Sequence, residues 1–143
     1  MVVTFFGHRN TPMDIYPKLL ETLTELIENK GAKIFFVGNQ GNFDYLVRRT
    51  LRILAKEYQD ITYTVVLSYL PTEKNENFED YSDTIFPEVL EGVQPAYAIE
   101  KRNRWMVDNA DVVVSYVKNS YGGARKFCNL AKRKGKTVIN LAM

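Results

Sequence analysis

The chain has 143 residues, 45% of them apolar, and its 19 basic and 17 acidic side chains leave a net charge of +2. That length and apolar content suit one folded domain and exclude a disordered chain. The near-neutral charge lacks the basic footprint of a dedicated nucleic-acid binder, and the single cysteine, Cys128, excludes an internal disulfide and a Cys-rich zinc site.

Val2 to Phe6 is a short continuous apolar run, which predicts a strand buried on both faces, as a parallel sheet requires. It has no basic leader and is too short for a signal peptide. No stretch approaches the ~20 apolar residues of a membrane helix, so a cytoplasmic protein with no membrane partner is expected. Gly7-His8-Arg9-Asn10 follows the strand. Thr11 is placed as an N-cap with Pro12 at the first helical position. Tyr16, Leu19, Leu20, Leu23, Leu26 and Ile27 then recur at helical spacing, and Gly31 closes the helix.

Lys33 to Val37 is the second predicted strand. Gly38-Asn39-Gln40-Gly41-Asn42-Phe43-Asp44 comes next and opens a helix running to Lys56. Strand, glycine loop and helix N-terminus together point backbone N–H groups at an anion such as phosphate. Ile61 to Leu67 reads as a third strand, completing a βαβαβ unit with right-handed crossovers. The connection from Ser68 to Pro95 carries Glu73, Glu76, Glu79, Asp80 and Asp83. Its length suits a functional lid or an insert, with a short helix near Pro87–Leu90. Helical spacing resumes at Ala96, with Ile99, Met106 and Val107 on one face. Val112 to Val117 is a strand, Asn119-Ser120-Tyr121-Gly122-Gly123 a second glycine loop, and Phe127, Leu130 and Ala131 mark a helix stopped by Gly135. Thr137 to Leu141 is the last strand. The whole predicts an α/β, Rossmann-like three-layer sandwich with a parallel sheet of about five strands, one domain over residues 1–143.

In such a sheet the C-terminal strand ends share one edge, where ligands bind. Three loops therefore converge there: Gly7, His8 and Arg9; Gly38, Asn39, Gly41, Phe43 and Asp44; and Gly122, Gly123 and Ala124. His8 is the only histidine, a ligand contact or a structural hydrogen-bond partner. No second histidine or cysteine stands at metal-ligand spacing, so no metal is implied, and no cofactor is expected. Asp44 is a candidate for holding ribose hydroxyls, for a general base, or for stabilising its helix N-terminus. Phe43 packs either a base or the core. Arg102, four residues before Met106, lies on the inward face of its helix, where a cation needs an anionic partner. Arg104 is expected to face water or a subunit neighbour. Trp105 covers a ligand, covers an interface, or simply packs. Catalytic residues are not assigned; Asp44 and Arg102 are the candidates.

Phe6-Gly7-His8-Arg9, Gly38-x-x-Gly41-x-Phe43-Asp44, Arg102-Asn103-x-x-Met106, Ala110-Asp111-Val112-Val113-Val114 and Gly122-Gly123-Ala124 occur in that order. In this the chain resembles the SLOG superfamily, the Rossmann-like domains that include the LOG phosphoribohydrolases and the DprA proteins. The nearest look is to small stand-alone YpsA-like members. The resemblance implies nucleotide-linked ligands and a homo-oligomer. LOG enzymes cleave the base–ribose bond of nucleoside monophosphates, using a Pro-Gly-Gly-x-Gly-Thr-x-x-Glu loop. The matching stretch here, Tyr121 to Asn129, lacks both the Gly-Thr step and the glutamate. The leading expectation is therefore binding or sensing of a nucleotide or nucleotide-derived ligand at the C-terminal edge of the sheet. The alternative is a hydrolase of N-glycosidic bonds. Single-stranded DNA binding of the DprA kind ranks third, with only the basic C-terminal helix to suggest it.

Overall fold

The computed structural model describes residues 1–68 and 84–142. Its strands are β1 (Val2–Gly7), β2 (Ile34–Val37), β3 (Thr62–Val66), β4 (Thr84–Ile85), β5 (Val112–Tyr116) and β6 (Thr137–Asn140). Its helices are α1 (Tyr16–Lys30), α2 (Gly41–Glu57), α3 (Pro95–Asp108) and α4 (Gly123–Arg133). The strands form one sheet in the order β4-β3-β2-β1-β5-β6, and every pairing is parallel. The Rossmann-like α/β reading holds, with one more strand than expected. The extra strand, β4, has two residues, too few to register as a periodic run in the sequence.

The chain winds outward from β1 through β2 and β3 to β4, then returns to the other side of β1 as β5 and β6. The reversal lies between β1 and β5, and their C-terminal ends splay a crevice there. Alternation along the strands feeds two cores. Val3, Phe5, Phe35, Val112 and Val114 pack with Leu19 and Leu23 of α1 and Leu46, Val47 and Leu51 of α2. Phe6, Val66 and Val113 pack on the opposite face with Met106 and Val107 of α3 and Phe127, Leu130 and Ala131 of α4. Each fully buried Leu, Val or Phe contributes about 1.5–3 kcal/mol of hydrophobic stabilisation. The helices thus cover both faces, as all-parallel sheets require.

Local starts differ from the expected ones at one helix. Thr11 does not cap α1; its hydroxyl donates to the His8 carbonyl at 2.6 Å. Met13–Ile15 forms a 3-10 turn, and α1 begins at Tyr16 with Pro17 in its first turn. Pro17 lacks an N–H, so it suits that first turn just as Pro12 would have suited the earlier start. Gly31 ends α1 at φ +75°, as expected. The expected short helix near Pro87–Leu90 is a 3-10 turn over Glu88–Leu90. Glu73, Glu76, Glu79, Asp80 and Asp83 lie outside the described residues, as does most of the connection expected to act as a lid or insert. No described helix is long and apolar enough to cross a membrane.

Candidate functional site

A cavity of about 360 Å³ opens at the C-terminal edge of the sheet, over the ends of β1 and β2. Gly7, His8 and Arg9 reach it from β1, and Gly38 from β2. Gln40 and Asp44 come from the start of α2, Ile99, Arg102, Asn103 and Met106 from α3, and Gly123 and Ala124 from α4. Phe5 and Phe6 form its floor side. Eight of the residues singled out in the sequence meet here: Gly7, His8, Arg9, Gly38, Asp44, Arg102, Gly123 and Ala124.

The first turn of α2 is organised by Asp44. Its carboxylate accepts the Gln40 N–H at 3.0 Å and is 92% shielded from solvent. Burial pushes its pKa above the usual aspartate value, against the pull of the Gln40 N–H and of the Arg102 and Arg48 guanidinium groups. Arg48 reaches back from α2 to the Gly38 carbonyl at 3.3 Å. Arg102 is buried, as its spacing with Met106 predicted. Its Nε donates to Asn103 Oδ1 at 3.1 Å and its Nη1 to Asn39 Oδ1 at 3.2 Å. A planar fork held on two fixed amide oxygens is oriented before any ligand arrives.

The glycine loop after β2 is not an open phosphate cradle. A Cβ on Gly38 would stand 2.7 Å from Asp44 Oδ2 and 3.2 Å from Arg102 Nη1. The space beside Gly38 is therefore filled by the side chains of Asp44 and Arg102. Gly41 takes φ +83°, and a Cβ there would meet the Arg9 backbone at 2.7 Å. The Asn42 N–H is bonded to the Arg9 carbonyl at 2.8 Å. Two of the N–H groups at this helix start, those of Gln40 and Asn42, are thus already engaged by the protein itself. The start of α4 is different. A Cβ at Gly122 or Gly123 would meet nothing within 4 Å, and Gly123 and Ala124 line the cavity. The open helix N-terminus of the site belongs to α4.

Four of the singled-out residues do not line the cavity. Phe43 is fully buried in the core beneath Gly7, which corrects its reading as a contact for a base. Gly41 packs on Arg9, and Gly122 is the N-cap of α4 at φ +99°. Asn39 stands behind the wall as a support for Arg102. Trp105 packs edge-on against Phe36, with ring centroids 5.1 Å apart. Arg104 pairs with Glu100 on the surface at 3.3 Å. The sequence reading passed over Gln40, Ile99, Asn103 and Met106 as lining residues. Asn103 and Met106 stood in the motif that holds Arg102, and that was the available signal. Among the described residues no group of three His, Cys, Asp or Glu side chains could hold a metal ion.

No protein-family model matches the chain. No curated protein matches it. Among solved structures, the X-ray structure of DNA processing protein A (DprA) from Streptococcus pneumoniae superposes with a TM-score of 0.67 at 16% identity. The match covers 95% of this chain and 48% of DprA, so the chain spans about half the length of that protein. At that identity the likeness is one of fold: the chain has the Rossmann-like architecture found in DprA.

Proposed function

We propose that the cavity binds a nucleotide or nucleotide-derived small molecule. The observation that carries this is the pairing of two unlike walls across one cavity. On one side stands a buried, pre-oriented guanidinium and carboxyl, Arg102 and Asp44. On the other stands an unobstructed helix N-terminus at Gly123–Ala124. The volume, about 360 Å³, falls within the usual range of small-molecule sites. A phosphate is accepted by the α4 N-terminus, while Asp44 and Asn103 take hydroxyl or base groups. The motif order and the fold shared with DprA support a SLOG-type domain, of which the YpsA-like members are the proposed relatives. Calorimetry against nucleoside mono- and diphosphates and ADP-ribose tests the reading. Binding at micromolar to low millimolar ligand is expected, and no heat at millimolar concentration overturns it.

Hydrolysis of an N-glycosidic bond is the second reading. Its supporting observation is the buried Asp44 carboxyl at the cavity wall, where burial raises its pKa in the direction that proton transfer needs. Chromatography of nucleoside monophosphates after long incubation tests it; intact substrates reject it. DNA binding has the fold likeness and the exposed Lys132 and Arg133 of α4 in its favour. The small net charge opposes it. A salt-sensitive gel shift with single-stranded DNA would establish it over the small-molecule reading.

A further inference from the structure

His8 is tied into the fold in an unusual way for a residue at a ligand cavity. Its backbone N–H donates to the Tyr116 carbonyl, and its carbonyl accepts from both the N–H and the hydroxyl of Thr11. Its ring stands edge-on to Tyr116. The ring Nε2 accepts the Lys118 N–H at 2.9 Å and lies 3.4 Å from the Asn119 N–H. An imidazole nitrogen accepts only when it carries no proton, so the ring is neutral with its hydrogen on Nδ1. These are the first residues of the loop leading to α4. Arg125, in the first turn of α4, donates from Nε to the Asn119 carbonyl at 2.8 Å. On the other flank, Asn140 of β6 accepts the Val117 N–H and donates to the Val117 carbonyl. The loop is thus clamped between His8 and Asn140, and α4 hangs from it through Arg125.

We propose that His8 is a positioning residue of this site: its unprotonated Nε2 gathers the Lys118 and Asn119 N–H groups and, through Asn119 and Arg125, sets where the first turn of α4 meets the cavity. Protonating the ring removes the only acceptor it offers and turns a nitrogen that accepts into one that donates. The loop N–H groups then lose their partner and α4 loses its anchor. The surroundings oppose the added charge. Arg125 faces the ring from α4, Arg9 follows it in the chain, and Lys118 lies over the Tyr116 ring. Asp44 and Arg102 line the same cavity from α2 and α3, with the Asp44 carboxylate engaged by Gln40. Burial and then the charge of Arg125 hold the imidazole pKa below its usual value, in keeping with this geometry. Acidification therefore loosens the loop and weakens anion binding at the α4 N-terminus. Only that last step rests on the nucleotide reading of the cavity.

Nuclear magnetic resonance of the ligand-free, nitrogen-labelled protein from pH 8 to pH 5 tests the positioning role. The ring nitrogens are expected to report the Nδ1–H tautomer at neutral pH. The Lys118 and Asn119 amide signals should move with the same midpoint as the ring, and the protection of amides over 118–124, taken relative to the intrinsic exchange rate at each pH, should fall roughly three- to tenfold below it. In His8→Gln, whose amide oxygen accepts without titrating, that common midpoint should vanish. Amide signals that stay still while the ring titrates, or a ring with its hydrogen on Nε2, overturn the proposal. AMP then serves as the probe for the functional step. Its affinity should fall roughly three- to tenfold more between pH 7.5 and 5.5 in the unaltered protein than in His8→Gln. The difference between the two proteins cancels the titration of the phosphate itself. Equal pH dependence in both rejects the coupling to binding. AMP that binds at neither pH removes AMP, and not the rest of the nucleotide panel, as the ligand, and the ligand-free titration still decides the role of His8.

Discussion

The backbone of Gly7 packs directly on the side chain of Phe43: a Cβ at Gly7 would stand 2.2 Å from the ring Cγ. This contact locks the end of β1 onto the first turn of α2, and so fixes His8 and Arg9 relative to Asp44. Gly7→Ala is expected to destabilise by about 1–3 kcal/mol or more, because a fully buried ring has nowhere to move. Phe43→Ala alone should cost about 3–5 kcal/mol. In the double variant the Gly7 substitution should cost less than it does alone, as neighbours sharing one space do. Urea denaturation of the four proteins checks this; additive costs would remove the contact from the account.

Gly41 and Gly122 both have positive φ but differ in their surroundings. Gly122→Ala meets open space and carries only backbone strain, of about 1–3 kcal/mol. Gly41→Ala adds a collision with the Arg9 backbone, so its loss of stability should exceed that of Gly122→Ala. The order of their denaturation midpoints decides the matter, and a reversed order would contradict the packing of Arg9 on α2.

Arg102 is held by Asn39 and Asn103, and its value lies in its orientation as much as its charge. Arg102→Met should leave the buried Asn103 and part-buried Asn39 amide oxygens without this donor and cost about 1–3 kcal/mol. Nucleotide affinity should fall about tenfold or more. Arg102→Lys keeps the charge but not the fork, so it should recover only part of either loss. Calorimetry and urea denaturation on the same variants separate the two effects, and full recovery by lysine would show that charge alone matters.

Asp44 makes stability depend on pH in a direction set by its environment. Its carboxyl pKa is raised in the folded chain, so above the unfolded value of about 3.9 the folded state binds more protons than the unfolded one. Its contribution is fully present below that value and is lost as pH rises through the folded pKa. Asp44→Asn keeps an acceptor for the Gln40 N–H and has no charge to bury. The variant should gain stability relative to the parent as pH rises from 4 toward neutrality. A difference that stays flat over that range, or shrinks, would mean that Arg102 and Arg48 outweigh burial.

The continuous apolar run of Val2–Phe6 and the apolar helical spacing of α1 and α2 were enough to identify a parallel α/β sheet. Periodicity depends only on which side chains must leave water, and that is written locally. The same holds for Arg102, since its distance from Met106 placed it on a buried face. The glycines were less legible. Gly38, Gly41 and Gly123 look alike in sequence, because a missing side chain does not say what fills its place.

Only the tertiary structure distinguishes them. Asp44, Arg102 and Arg9 fill the space beside Gly38 and Gly41. Gly123 is left open at the cavity because nothing from another element reaches it. The bond from Lys118 to His8 spans 110 residues and exists because β1 and β5 are neighbours in the sheet. The sequence by itself determined the architecture and the residues available to a site. Contacts between distant segments decided which helix end is open and what holds it there, because those contacts depend on how the elements pack and not on the pattern within any one of them.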